Sequence, residues 1–154
     1  MFMSGSPFTR RSLLQAGTAA TAGIWLPACA AQTPLARHPD APRLRLVAPS
    51  GYLPNPERID IGLQRLQRAG FALENTVALG RRHQRFAGTD AERAADLQEV
   101  ASGRVAAPQV LLGARGGYGA IRLLPLIDWA SLGSRMREAG TLFLGYSDVC
   151  ALQL

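Results

Sequence analysis

From Leu44 onward, short apolar runs alternate with stretches whose apolar residues recur at helical spacing. The run Leu44-Arg45-Leu46-Val47-Ala48 is closed by Pro49-Ser50-Gly51, which predicts a first strand ending in a loop. Between Pro56 and Ala69 the residues Ile59, Leu63 and Leu66 share one helical face, Asn55-Pro56 opens the segment and Gly70 closes it, so a helix is expected there. Phe71 to Leu79 can form a second strand. Thr89-Asp90-Ala91-Glu92 is a capping box, in which threonine and glutamate satisfy free amides at a helix start, and that helix should run to about Ser102. Gln109 to Leu112 reads as a third strand, Ala120 to Leu126 as a short helix, Thr141 to Leu144 as a further buried strand, and Val149 to Leu154 as a helix. Strand and helix alternate without internal repeat, which predicts an α/β fold with a parallel sheet flanked by helices on both faces.

Composition narrows this picture. A chain of 154 residues with 47% hydrophobic residues can bury the core of one ordinary domain, which excludes disorder for most of it. All 17 basic residues are arginine, a pattern of coding bias, and no basic cluster interleaved with aromatics is visible, so no nucleic-acid partner is expected. The two cysteines, Cys29 and Cys150, exclude a disulfide framework. Histidine, cysteine and carboxylates do not cluster at ligand spacing, so neither a metal nor a cofactor is expected.

The first thirty residues have the layout of an address. Arg10 and Arg11 precede an almost uncharged stretch from Ser12 to Ala28 that ends among small residues, as a secretory signal does. The paired arginines followed by Ser12-Leu13-Leu14 resemble a twin-arginine signal, which implies the twin-arginine translocase as partner and a periplasmic location. Two fates stand open: ordinary cleavage at Ala28-Cys29-Ala30, or lipidation of Cys29 in the lipobox-like Leu26-Pro27-Ala28-Cys29. Residues 31–42, with Pro34, Pro39 and Pro42, read as a linker, and the folded domain should occupy 43–154.

In parallel sheets, function collects in loops at the carboxyl ends of strands. One candidate loop is Gly113-Ala114-Arg115-Gly116-Gly117-Tyr118-Gly119, whose glycines let backbone amides approach a ligand, or which simply needs positive dihedrals to turn. Its spacing is not that of a dinucleotide fingerprint. The other is Gly145-Tyr146-Ser147-Asp148, at the junction of a strand and a helix. A serine there projects its hydroxyl above the sheet, the geometry of a nucleophile elbow, although Val149 stands where that motif usually has glycine. Ser147 as a plain helix cap is the alternative.

The run Arg115-Gly-Gly-Tyr-Gly119, then Arg122-Leu-Leu-Pro125, Asp128-Trp129 and Gly145-Tyr-Ser-Asp148, resembles the LD-carboxypeptidase family of serine peptidases, which act on murein peptides. The resemblance extends back to Ala48-Pro49-Ser50 and to Phe86-Ala87-Gly88-Thr89-Asp90 with Arg93 and Asp96-Leu97, covering about Leu44 to Leu154. It implies a Rossmann- or flavodoxin-like N-terminal domain that stops before a C-terminal domain. It implies Ser147 as nucleophile, the backbone amides of Gly117 and Asp148 as oxyanion donors, and Arg115 and Tyr118 as substrate-facing residues, each with a purely structural alternative. The family's catalytic histidine and glutamate belong to the C-terminal domain, and neither His38 nor His83 matches that histidine. The expected reaction is hydrolysis of the LD peptide bond of a murein tetrapeptide with release of D-alanine, and the 154 residues alone are expected to be inactive and poorly soluble. A microcin-immunity type of amidase on the same fold and a non-catalytic murein-peptide-binding module are the alternatives, and a homodimer of the full-length protein is a further partner to consider.

Overall fold

The computed structural model describes residues 40–153. The expected leader over 1–30, with Cys29, and His38 in the linker lie outside them. Four strands, β1 (Arg43–Val47), β2 (Ala72–Glu74), β3 (Val110–Gly113) and β4 (Leu142–Leu144), form one parallel sheet in the order β2-β1-β3-β4. Three α-helices, α1 (Pro56–Arg68), α2 (Asp90–Ala101) and α3 (Trp129–Ala139), and 3₁₀ segments at Thr76–Leu79, Ala120–Leu126 and Ser147–Leu152 connect them.

The strand alternation assigns the two faces. Leu44, Leu46 and Val110 pack with Ile59, Leu63 and Leu66 of α1 on one side. Val47 and Leu111 pack on the other with Leu97 and Val100 of α2 and Leu132 of α3. Local signals act where they were expected: the Asn55 side chain accepts from the Arg58 amide at 3.0 Å to start α1, and Thr89 and Glu92 form both bonds of the capping box, at 3.2 and 2.7 Å.

Four elements differ from the expectation, and one of them, the helix expected over Val149 to Leu154, is instead the 3₁₀ segment Ser147–Leu152, which Tyr146 and not Ser147 caps. The second strand is only Ala72–Glu74 long, because Asn75 turns to φ 57° and its side-chain amide donates to the Leu46 carbonyl and to Asp96, after which the chain coils into the 3₁₀ segment. The fourth strand is not buried: among the described residues it pairs on one side only, and Leu142 and Leu144 are 59% and 48% exposed. Helix α3 occupies a stretch for which the pattern predicts no element; Asp128 caps it by accepting from the Ser131 amide at 3.0 Å, and Gly140, at φ 65°, ends it.

Candidate active site

β1 lies between β2 and β3, so the chain leaves it in one direction and returns on its other side. That reversal opens a crevice above the carboxyl ends of β1 and β3. The loops after β1, β3 and β4 meet there. Gly51 donates from its amide to the Gly116 carbonyl at 3.4 Å, joining the first two. Gly116 lies against Ser147 so closely that a Cβ built on it would stand 2.7 Å from the serine Cβ and 3.1 Å from its Oγ. The glycine loop and the serine loop are therefore one site, and Ser147 is exposed within it.

Ser147 is one of three non-glycine residues with positive φ among the described residues, at 59°. Two contacts below it stabilise this unfavoured conformation. Asp148, the next residue, accepts from the buried Ser50 hydroxyl at 2.7 Å and from the Ala120 amide at 2.9 Å, so one carboxylate ties together all three loops. Val149 is fully buried, and a Cβ on Gly113 or Gly145 would stand 2.9 or 2.3 Å from its Cγ1. The bulk of valine where a nucleophile elbow usually has glycine is thus accommodated by glycines at the ends of β3 and β4.

The amides of Gly117, next to Gly116 in the glycine loop, and of Asp148, next to Ser147, find no acceptor among the described residues. Arg115 donates to the Tyr52 carbonyl and so straps the glycine loop to the loop after β1, through a carbonyl and not a carboxylate. Tyr118 is 52% exposed and leans on Phe86, with ring centroids 6.4 Å apart. Beside Tyr146 lies a cavity of about 550 Å³ lined by Leu53, Asn55, Arg58, Ala114 and Arg115. His83 sits in an exposed turn and pairs through its backbone with Phe86. Among the described residues no group of histidine, cysteine and carboxylates could hold a metal.

Residues 44–154 match the LD-carboxypeptidase N-terminal domain. The chain belongs to the LD-carboxypeptidase family. A Streptomyces coelicolor protein named as a carboxypeptidase is 46% identical over 116 residues, covering 71% of this chain and 34% of that protein. The crystal structure of a muramoyltetrapeptide carboxypeptidase from Oxalobacter formigenes superposes with a TM-score of 0.59 at 32% identity, over 71% of this chain and 34% of that one. The microcin C7 self immunity protein has the same fold, with a TM-score of 0.62 at 24% identity over 73% of this chain and 32% of its own. The chain therefore spans about a third of the length of these relatives.

In this LD-carboxypeptidase N-terminal domain, the support beneath the site comes from residues that motif reading gave no role. Asp96 of α2 accepts from the Ala48 amide at 3.0 Å and from Arg81 at 2.6 Å, fixing the loop after β1 from below. Arg93, with none of its surface exposed, donates to the carbonyls of Pro49 and Gly119 and so joins the β1 loop to the glycine loop. Charged residues on the inner face of an otherwise apolar helix were the available signal: burying a charge is costly unless it is paired, so such residues usually hold something.

Proposed function

We propose that Ser147 is the nucleophile of a serine carboxypeptidase that hydrolyses the LD peptide bond of murein tetrapeptides and releases the terminal D-alanine. The observation that carries this reading is Ser147, exposed and held at positive φ against Gly116 of the glycine loop. In this reaction the serine oxygen bonds to the scissile carbonyl carbon while its proton passes to a base. The carbonyl oxygen becomes an oxyanion facing the Gly117 and Asp148 amides. Collapse expels the D-alanine amine, which takes the proton, and water then hydrolyses the acyl-enzyme. Donors aimed at charge that develops only in the transition state contribute about 3 to 4 kcal/mol each. Neither histidine of this chain serves as the base in this reading, so the 154 residues alone are expected to release no D-alanine. The N-terminal address, with export through the twin-arginine translocase and cleavage or lipidation near Cys29, suits a periplasmic murein substrate.

The test uses the protein extended to the full length of its relatives. D-alanine release from a murein tetrapeptide is expected, and Ser147→Ala should abolish it; turnover by the alanine variant at the wild-type rate would remove Ser147 from the chemistry. Because the microcin C7 self immunity protein shares the fold, and has been seen with aspartyl sulfamoyl adenosine, that compound is the second substrate to assay. Its hydrolysis in place of the tetrapeptide would move the protein to the immunity branch.

A further inference from the structure

Arginines crowd the site mouth, and they fall into two groups. Arg81, Arg93 and Arg122 each hold a carboxylate, Asp96 for the first and Asp90 for the other two. Arg82, Arg85 and Arg115 hold none among the described residues and are exposed. The carboxylates nearest in the chain are already committed: Asp90 to Arg93 and Arg122, and Glu92 to the amide and hydroxyl of Thr89. Positive charge on this rim is left uncompensated.

Arg82 and Arg85 flank a turn that is firmly placed. His83 and Phe86 exchange backbone hydrogen bonds of 2.9 Å in both directions, and Gln84 turns the chain at φ 55°. The turn is docked on the loop after β1 by the Tyr52 amide donating to the Arg85 carbonyl at 3.3 Å and the Ala87 amide donating to Ser50 at 3.0 Å. The same β1 loop bonds Gly116 through Gly51, and Gly116 touches Ser147. A short, hydrogen-bonded path thus connects the turn to the serine.

Each guanidinium is backed by a ring. That of Arg82 lies 4.2 Å from the centroid of Tyr52, and that of Arg85 lies 5.1 Å from Tyr118 and 5.7 Å from Phe86. Stacking sets the plane of a guanidinium; the Arg82 Nε donates to the Gln84 carbonyl at 3.4 Å, which leaves the two terminal amino groups of that fork as its free donors. A planar fork held in this way matches a carboxylate through paired N–H donors, better than it matches a neutral amide. Tyr52 also receives Arg115 on its carbonyl, so the inner and outer arginines share one support.

We propose that Arg82 and Arg85, backed by Tyr52 and Tyr118, form a carboxylate-reading rim that selects acidic peptides for the Ser147 site, with Arg115 as its inner member. The inference rests on the peptidase reading above, since every carboxypeptidase substrate ends in a free carboxylate. Isothermal titration of the protein at the full length of its relatives, with Ser147→Ala in every chain compared so that no peptide is cleaved, would compare a murein tetrapeptide in its acid form with the same peptide carrying all carboxylates as amides. The acid form should bind more tightly, and its advantage should shrink as salt is raised. Arg82→Gln combined with Arg85→Gln should weaken acid binding roughly three- to thirtyfold, as expected for two exposed ion pairs, and leave amide binding unchanged. Lysine at both positions should recover part of the loss, and Arg104→Gln, remote from the rim, should change nothing. A chain with both arginines that binds acid and amide alike, or a double variant that binds the acid undiminished, overturns the rim and leaves the peptidase reading standing. Binding of neither peptide form overturns both. Inorganic phosphate bound more tightly than the tetrapeptide through the same two arginines would overturn the peptide assignment in favour of a phosphate ligand.

Discussion

Ser147 is held where a side chain is disfavoured: a non-glycine residue at φ 59° costs about 1 to 3 kcal/mol, and such strain persists only when the surroundings over-determine it. Here they do so from three directions, through Asp148 tied to Ser50 and the Ala120 amide, through Val149 wedged against two glycines, and through Gly116 in contact from above. Gly116 is the position where geometry leaves least freedom, because a methyl group there would also stand 3.1 Å from the Tyr146 carbonyl, a backbone atom that cannot swing aside. In the protein at the full length of its relatives, Gly116→Ala is therefore expected to displace the serine and lower kcat/KM by about a hundredfold, the usual effect of an ångström-scale misplacement. The melting temperature should fall as well, because buried Gly116 has no room for a methyl group, and circular dichroism checks that the variant keeps its fold. A Gly116→Ala enzyme with wild-type kcat/KM would show that the contact does not position the nucleophile.

At the scale of elements, the N-terminus of α2 combines a cap, an ion-pair cluster and the support of the site. The Arg122 hydrogen bond, together with Arg93, holds the Asp90 carboxyl below its ordinary value of 3.8, and the Thr89 amide holds Glu92 below 4.5. Both shifts are downward, so the stability they add is complete above the ordinary values and is lost as pH falls through the lowered ones. Melting followed by circular dichroism should thus be level from neutral pH to about pH 5 and decline below about pH 4. Asp90→Asn should decline less steeply over the acid range; a variant that follows the wild-type curve would show that the pair contributes nothing in acid. Much at this scale was legible beforehand, because caps and glycine stops act within a few residues: Asn55 and Thr89 start their helices where the pattern placed them. What was not legible depends on distant partners. The second strand stops at Glu74 because Asn75 reaches Leu46 and Asp96 on other elements. Helix α3 had its signals in Asp128, Leu132, Met136 and Gly140, but Ser131, Gly133 and Ser134 dilute its apolar face. Within the site, the two loops could be read as motifs, whereas the bond from Ser50 to Asp148 spans 98 residues and has no local trace.

For the described residues as a whole, the sheet is covered unevenly. Helices α2 and α3 cover the face that carries Val47, Leu111 and Phe143, while α1 lies opposite Leu44, Leu46 and Val110 and leaves β4 bare on that side. Leu142 and Leu144 pair in register with Val110 and Leu112, so they extend the α1-side apolar surface outward to the sheet edge. Gln153 covers one edge group by donating to the Phe143 carbonyl at 2.9 Å, which blunts the edge without hiding the two leucines. An exposed apolar strand with an open edge is a template for pairing with another copy, and a single charge on it is the usual protection. The 154-residue chain is accordingly expected to self-associate with rising concentration in sedimentation velocity, and Leu144→Lys should shift it toward monomer. The lysine should not unfold the domain, because the position is half exposed and the long side chain can carry its charge into water along the sheet. Wild-type chain that stays monomeric, or a Leu144→Lys chain that associates equally, would place the association surface elsewhere; a variant that loses its circular dichroism signal would show that Leu144 contributes to the core despite its exposure.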